Sequence, residues 1–460
     1  MSKIRFILPI LLLLSVACAL PGLSGGGFSL FGSPTPAQTP TVTPSPAPTP
    51  TPTPLPAVRV EQAERFLFEG NSDQALSEFQ TGFNNATDDE TRAGALLGTG
   101  RAYLIAGQTD QALTRFDRVV NEYSDTGSMP LAQFFRGQIL YGQGNYAQAA
   151  EAYGQYLNYR PGFLDAYIQE LRGDALSGAE DHTNAIAAYE AAIAAPKLVD
   201  SIGLDIKIGE EYAAMGDHTN AIRKFMAIYD ASTNDYVKAQ ANFLLGKSYI
   251  ALGMPEQAHA RFQDSVNNYP RSYDSYSALV ALVDAGQPVD DYNRGVVDYY
   301  AGQYGVAIDA FNRYIANNPE HDGSSLHYKA LCQRAIGNYE EAIVTWDALI
   351  ENYRDNRFWA SAWDEKSYTQ WVYLDQYPQA AETLLAFVRQ RPTAAEAPTF
   401  LYEAGRIYER NNQLQEAANT WARLIDEYPS AEIGYRALFL AAITSYRLGE
   451  YTQALIYFQR

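Results

Sequence analysis

The sequence predicts an all-α solenoid, and three observations lead to that prediction. An alanine, in most units followed four residues later by an aromatic side chain, recurs eleven times at intervals of 35 to 38 residues, with one interval of 49. Each unit contains two stretches with apolar residues at helical spacing. In most units a glycine lies between the two stretches, where it can end the first helix. A fixed period in this range is typical of stacked helix pairs that each pack on their neighbours.

The composition excludes some classes of protein. The chain has 460 residues, a formal net charge of −19 and a pI of about 4.7. Nucleic-acid binding relies on clustered lysine and arginine, so we expect no nucleic-acid partner. Only two cysteines occur, Cys18 and Cys332, which excludes a framework of several disulfides.

The N-terminal residues predict export and lipid attachment. Lys3 and Arg5 precede an apolar run, Phe6 to Leu14, that is shorter than the ~20 residues of a membrane-spanning helix. The run ends in Leu-Ser-Val-Ala-Cys, which resembles the lipobox of bacterial lipoproteins, with a serine where that family more often has leucine. The resemblance implies a signal peptide at 1–17, cleavage before Cys18, and a diacylglyceryl group on its thiol. A plain signal peptide with an incidental cysteine is the alternative.

The segment 18–56 is predicted to be a lipidated N-terminus followed by a Pro/Thr-rich stalk. From Pro34 to Pro56 nearly every second residue is proline. Proline lacks an amide donor and disfavours helix in the residue before it, so we expect a disordered, extended spacer about 70 Å long at ~3.1 Å per residue. Lipid and stalk imply a membrane contact through Cys18. They place the protein in the bacterial cell envelope outside the cytoplasm, on the periplasmic or extracellular side.

The repeated units occupy the rest of the chain. Repeats 1–6 are assigned to residues 57–270 and repeats 7–11 to 289–460, with the last one incomplete. The long interval leaves 271–288 as an insertion in which apolar residues such as Tyr276 and Leu279 recur at helical spacing. We expect one extra short helix there, which should bend the solenoid or change its pitch. The alanines that mark the repeats are Ala75, Ala112, Ala149, Ala185, Ala221, Ala258, Ala307, Ala342, Ala380, Ala417 and Ala454.

Further side chains recur at fixed places inside the units. In the second unit they are Gly100, which lets the two helices approach closely, and Tyr103 and Phe116, which fill the space between repeats. Gly107 is predicted to end the first helix of this unit. The ninth unit departs most from the pattern, with Tyr368 where a small residue is expected.

These residues resemble the tetratricopeptide repeat (TPR) family, which places Leu, Gly, Tyr, Ala, aromatic and Pro on a unit of about 34 residues. The resemblance covers 57–460 and implies a right-handed α-α superhelix of about eleven repeats, in which first helices line a concave, ligand-binding groove. The lysine and asparagine cluster with which some members hold a C-terminal carboxylate is not reproduced. Packing between repeats is the alternative role for every groove position. By register those positions are Arg101, Phe134, Gln138, Tyr167, Glu170, Asp174, Glu210, Phe243, Lys247, Tyr292, Tyr402 and Arg406.

Known catalytic and metal-binding motifs do not occur in the sequence, which has no phosphate loop, HExxH, GxSxG or CxxC. His182 and His218 occupy the same turn of successive repeats and are interpreted as exposed turn residues. His321 and His327 lie in HDGSSLH, predicted to be an inter-repeat loop without further metal ligands in register. Cys332 falls among apolar residues of a first helix and is interpreted as a buried thiol. We therefore predict no catalytic residue, metal or cofactor.

The final residues predict a continuation. EYTQALIYFQR, residues 450–460, stops shortly after the eleventh aromatic position, Phe458. A repeat leaves an apolar face for the next one, so solenoids need a polar cap. We expect either that the native chain extends past Arg460 or that an oligomer covers this end. RALFLAAITSYRLGEYTQALIYF also resembles the helical N-terminal region of soluble lytic murein transglycosylases, although the catalytic Glu-Ser and Gly-Leu-Met-Gln motifs of that family are absent from 1–460.

Two functions of different class follow. The first is a membrane-anchored extracytoplasmic TPR scaffold that binds an envelope protein or peptide in its concave groove. The alternative is the non-catalytic N-terminal region of a peptidoglycan lytic transglycosylase, with peptidoglycan as partner and the catalytic domain beyond residue 460. Enzyme activity is left open, since it would depend on that domain. A third resemblance, to outer-membrane barrel-assembly lipoproteins, fits the lipobox and the repeats, but those proteins are about half as long.

Overall fold

A computed structural model describes residues 54–162, 164–196 and 200–460, and this part of the chain contains 23 α-helices and no strand. The predicted signal peptide, Cys18 and nearly all of the stalk lie outside the described residues. The helices are α1 (Pro56–Phe68), α2 (Ser72–Asn85), α3 (Asp89–Ile105), α4 (Thr109–Glu122), α5 (Met129–Gly142), α6 (Tyr146–Tyr159), α7 (Asp165–Gly178), α8 (His182–Ala194), α9 (Ile202–Ala214), α10 (His218–Ala231), α11 (Asp235–Ala251), α12 (Pro255–Asn268), α13 (Tyr273–Asp284), α14 (Asp291–Tyr300), α15 (Tyr304–Asn317), α16 (Ser324–Ala335), α17 (Tyr339–Asn352), α18 (Trp359–Tyr373), α19 (Tyr377–Gln390), α20 (Ala397–Arg410), α21 (Leu414–Glu427), α22 (Gly434–Arg447) and α23 (Tyr451–Gln459).

The helices of residues 55–460 form a solenoid of helix pairs plus one unpaired helix, α13. The first helices of the pairs are α1, α3, α5, α7, α9, α11, α14, α16, α18, α20 and α22, and each is followed by its second helix. Nearly every helix packs on the one before and the one after it, and neighbouring first helices also touch, as α1 and α3 do. The prediction of an all-α repeat solenoid is confirmed.

Each pair packs closely because a small residue faces an aromatic ring. A Cβ atom on Gly100 would lie 2.5 Å from the ring of Phe116, whose side chain is fully buried. Carbon atoms prefer separations of about 3.5–4.0 Å, so only glycine leaves the ring its place. Gly107, with φ +73°, follows α3, and the amide of Gln108 donates to the carbonyl oxygen of Tyr103 at 2.8 Å. This left-handed turn closes α3, as the sequence predicted.

The ninth pair corrects one expectation. Ser367, and not Tyr368, takes the place of the small residue, because Ser367 is 1% exposed and its hydroxyl donates to the carbonyl oxygen of Ala380 at 2.9 Å. Tyr368 points outward and is 41% exposed. The end of α18 contains an additional residue, because the amide of Gln376 donates to the carbonyl oxygen of Gln370, six residues back, whereas that of Gln108 donates five residues back. This residue shifts the spacing between the two helices, so counting back from the alanine selects the wrong position.

The unpaired helix α13 lies within the predicted insertion. It packs on α11 and α12, as the first helix of a next repeat would, but makes few contacts with α14. The guanidinium of Arg271, just before α13, lies 5.4 Å from the ring centroid of Tyr300, the last residue of α14. The turn before α13 therefore lies beside the end of α14.

The apolar core is a series of clusters along the solenoid. The largest runs from α16 to α23 and is built around large rings, among them the fully buried indoles of Trp346 and Trp421. Smaller clusters follow one another through the earlier pairs. Among the described helices, none has the length and hydropathy that crossing a membrane requires.

Candidate binding face of the first helices

The first helices lie side by side, and ion pairs join equivalent positions on neighbouring ones. Arg101 of α3 contacts Glu64 of α1 at 2.8 Å, and Lys207 of α9 contacts Glu170 of α7 at 2.8 Å; the partners are 37 residues apart in both pairs. Side chains at one register therefore form a row on one surface of the solenoid. We call this surface the first-helix face.

Four predicted groove residues lie at the N-terminal end of this face. Arg101 is held by Glu64, and Gln138 of α5 is exposed. The half-buried ring of Phe134 lies 6.4 Å from that of Tyr167. Tyr167 is 47% exposed, so α5 and α7 present an accessible aromatic surface beside polar groups.

Glu170 and Asp174 belong to a network around a lysine that the sequence analysis did not single out. Lys207 Nζ lies 2.8 Å from Glu170 and 2.6 Å from Asp174, and the hydroxyl of Tyr189 donates to Asp174 at 2.8 Å. Although burial opposes it, hydrogen bonding to both carboxylates holds the pKa of Lys207 above its ordinary value. The available signal was the spacing, since Lys207 follows Glu170 by one 37-residue period with opposite charge.

His182 is not the exposed turn residue that the sequence suggested. It is the first residue of α8, and its Nδ1 lies 2.7 Å from Oε2 of Glu211 on α9. The Glu211 side chain is 7% exposed and that of His182 is 25% exposed. The next helix closes over the turn, so the histidine packs between repeats and gives a buried carboxylate its partner.

A cavity of about 400 Å³ opens one repeat further along, between α9, α10 and α11. Its polar lining comes from Glu210, Lys247, Ser248 and His218, and its apolar lining includes the ring of Phe225. Glu210 is exposed and, among the described residues, has no hydrogen bond or ion pair within 4 Å, and partial desolvation by the surrounding protein raises the pKa of its carboxyl. His218 is half-buried, and its Nδ1 is buried without a hydrogen-bond partner in the described structure, so it too differs from the expected exposed turn residue.

Two of the predicted groove residues, Glu210 and Lys247, therefore line one cavity. Phe243 lies beneath Lys247, whose Nζ is 5.8 Å from the ring centroid of Phe243. Phe243 itself packs on Phe262 at 5.9 Å. It supports the cavity wall and is half-buried.

The remaining predicted positions lie in the C-terminal half and are more enclosed. Tyr292 is half-buried among other rings, and its hydroxyl accepts a hydrogen bond from Arg357 at 3.3 Å. Tyr402 is only 7% exposed and belongs to the large apolar cluster, so its main contacts are with the core. Arg406 is half-buried. The structure does not bring these residues together with those of α5 to α11.

The other histidines and the cysteine pack inside the fold. His327 lies within α16, not in a loop as expected, and it stacks on Phe358 at 4.2 Å; burial lowers its pKa to about 4. Nε2 of His321 lies 3.1 Å from the hydroxyl of Tyr353. Cys332 is fully buried, and burial raises the pKa of its thiol to about 12. No group of three or more His, Cys, Asp or Glu side chains in the described ranges is arranged to hold a metal ion.

Comparison with known families decides the assignment. A tetratricopeptide repeat model matches residues 97–162, 136–198, 292–357 and 372–432, and a second tetratricopeptide repeat model matches 240–272. Together these matches cover more than half of the chain. The chain belongs to the tetratricopeptide repeat family. The resemblance read from Gly, Tyr, Ala and aromatic positions is thereby confirmed.

Three solved structures match this chain at low sequence identity and with TM-scores below 0.5. The structure of Naa15/Naa10 bound to HypK-THB is 13% identical, covers 87% of this chain and has a TM-score of 0.45; the match spans 62% of that chain. The crystal structure of the P58(IPK) TPR domain is 14% identical, with 86% of this chain and 98% of that chain covered and a TM-score of 0.22. The pilF protein of Pseudomonas aeruginosa is 12% identical, with 49% and 97% covered and a TM-score of 0.33.

No curated protein sequence matches this TPR chain significantly. The resemblance of the last repeats to lytic murein transglycosylases finds no support in these comparisons. The family models support a tetratricopeptide repeat protein.

Proposed function

We propose that this TPR protein is a membrane-anchored, extracytoplasmic scaffold that binds a protein or peptide partner along its first-helix face. Repeat solenoids present extended surfaces built from many equivalent positions, which suits an extended partner. The lipobox at Cys18 and the proline-rich stalk support the anchoring, because acyl chains would hold the N-terminus at a membrane while the stalk separates the repeats from it.

The observation that carries the proposal is the accessible part of the first-helix face between α5 and α11. Tyr167 offers an exposed ring, Gln138 an exposed amide, and Glu210 and Lys247 opposite charges on neighbouring first helices. Aromatic rings supply large contact area at low entropic cost, and separated polar groups fix the register of an extended chain. The equivalent positions further along are enclosed, as Tyr402 shows.

Site-specific photo-crosslinking in bacterial cells tests the partner-binding half of the proposal. A photoreactive phenylalanine derivative at Tyr167 or Gln138 should give the same crosslinked partner protein from both positions. The matched control is Val344, a 68% exposed residue of the second helix α17, which should give no such product. Equal crosslinking from Val344, or no discrete product from the first-helix face, would contradict the proposal.

Lipid attachment has its own test. Cells that express the full chain should incorporate labelled palmitate into the protein, and Cys18→Ser should abolish the label and release the protein from the membrane fraction. Persistence of the label in the variant would refute an anchor at Cys18. Membrane release with unchanged crosslinking at Tyr167 would separate anchoring from partner binding.

A further inference from the structure

A local duplication inside the chain supplies a comparison between two equivalent sites. The sequence DHTNAI occurs at 181–186 and again at 217–222, at the starts of α8 and α10. The first site is enclosed by α7, α8 and α9, and the second by α9, α10 and α11. Residues of α7 and α8 correspond to residues 36 further on, and residues of α9 to residues 37 further on. The two sites therefore show what changes when single side chains differ.

The first site is filled by its own charged side chains. The ammonium of Lys207 lies on the carboxylate of Asp174, which also accepts a hydrogen bond from Tyr189. The carboxylate of Glu211 lies on Nδ1 of His182. One ammonium and one carboxylate thus occupy the space between the three helices, the ammonium against Asp174 and the carboxylate against the ring of His182.

The second site keeps counterparts of Asp174 and His182, but it lacks the ammonium and the carboxylate that these residues hold in the first site. Glu210 stands where Asp174 does, and His218 stands where His182 does. The lysine is replaced by Leu244, the glutamate by Ser248, and the tyrosine by Phe225. The replacements are shorter or apolar, so the space that held an ammonium and a carboxylate becomes the cavity of about 400 Å³.

The groups left around this cavity define what would fill it. The exposed carboxylate of Glu210 has no ion pair within 4 Å among the described residues, and Nδ1 of His218 is buried with no hydrogen-bond partner there. Lys247 adds an ammonium to the wall, and Phe225, Leu244 and small alanines make the rest apolar. A buried polar group without a partner is costly, so a ligand that satisfies Nδ1 of His218 gains affinity.

We propose that the cavity binds a free α-amino acid with an apolar side chain. Its ammonium would lie on Glu210, as that of Lys207 lies on Asp174 in the first site. Its carboxylate would lie on His218 and Lys247, as that of Glu211 lies on His182. Its side chain would contact the apolar lining, and the volume falls in the usual range for small-molecule sites. The cavity shares Glu210 and Lys247 with the first-helix face, but the crosslinking positions Tyr167 and Gln138 do not line it, so the two proposals can fail separately.

Calorimetric titration of the full chain with L-leucine is the first experiment. Leucine should bind with saturation, while N-acetyl-leucine, which lacks the ammonium, and leucinamide, which lacks the carboxylate, should each bind at least ten times more weakly. Glycine should also bind more weakly, since it lacks the apolar side chain. No heat with leucine up to ten millimolar would overturn the proposal. Equal binding of leucine and its blocked forms would do the same, because it would show an apolar pocket only.

One substitution converts the second site into the first. Ser248→Glu places a carboxylate where Glu211 stands, so it should pair with His218, occupy the cavity and abolish leucine binding. Val344→Glu, which adds the same charge at an exposed position of α17, should leave leucine binding unchanged. Circular dichroism checks that both variants fold. If Ser248→Glu does not fold, Glu210→Gln, at an exposed position, should weaken leucine binding at least tenfold, and unchanged binding there would refute the assignment.

Discussion

Two glycines in the same helix should respond in opposite directions to the same substitution. In α9, a Cβ atom on Gly209 would lie 2.4 Å from one ring carbon of Phe225 and within 2.9 Å of two others. Phe225 is 1% exposed, and its ring would have to shift before the added methyl group could fit. At Gly203, an added Cβ atom would have no neighbour within 4 Å. Gly209→Ala therefore overpacks the helix pair, whereas Gly203→Ala only stiffens the unfolded chain.

The magnitudes follow from these distances. Overpacking a closely packed core costs about 1–3 kcal/mol, and the upper part of that range, about 2–3 kcal/mol, applies here because the added Cβ atom would lie 2.4 Å from a ring carbon. Alanine regains about 1 kcal/mol of helix propensity over glycine, so Gly209→Ala should destabilise this region by about 1–2 kcal/mol. Gly203→Ala should stabilise it by about 0.4–1 kcal/mol. A solenoid opens locally, so the effect is expected in α9 and its neighbours and not across all helices.

Hydrogen exchange followed by mass spectrometry measures this local opening. Amides of α9 and α10 should exchange roughly 5 to 30 times faster in Gly209→Ala than in the wild type, and more slowly in Gly203→Ala. Peptides from α20 and α21 serve as internal controls and should be unchanged. Unaltered or slower exchange of α9 in Gly209→Ala would show that contact between the glycine and the ring does not hold the pair together.

Two further predictions concern charged groups. Lys207→Met should leave the carboxylates of Glu170 and Asp174 without their cation and destabilise the contact between α7 and α9 by about 1–2 kcal/mol. Hydrogen exchange in these helices should then be faster, and Lys207→Arg should have a smaller effect. Equal exchange in the wild type and both variants would contradict this prediction. Asp298 is 3% exposed, and burial raises its pKa to about 6. Its folded form therefore holds the proton more tightly than the unfolded chain, so its contribution to stability is largest below pH 4 and is lost as pH rises from about 4 to 6. From pH 4 to pH 7.5 the free energy of urea unfolding should fall by about 2 kcal/mol more for the wild type than for Asp298→Asn, and a matching pH profile in the two proteins would refute the assignment.

The features that repeat along the chain could be predicted from the sequence. The small residue at Gly100, the buried ring of Phe116 and the turn at Gly107 each recur with the period, so many copies support every assignment. The ninth unit shows the limit of this reasoning. One additional residue at the end of α18 moves Ser367 into the place that counting gives to Tyr368.

The groove residues could be predicted only in part, because their environment depends on the neighbouring repeat. Register identified Glu170 and Asp174 but not Lys207, which joins them from the next first helix. His182 seemed exposed because its partner Glu211 lies 29 residues away on another helix. Tyr402 occupies a position that the repeat period assigns to the groove, but it is buried in the core of the last repeats. The period alone cannot show this burial.

The unpaired helix α13 has a mechanical consequence. It separates six helix pairs from five, and its contacts with α14 are few compared with those inside any pair. A chain tethered at its N-terminus and pulled by a partner at the other end would carry the same tension through every junction. The junction between α13 and α14 would extend first, because the fewest contacts resist its separation, and the helix pairs on either side would stay intact at that force.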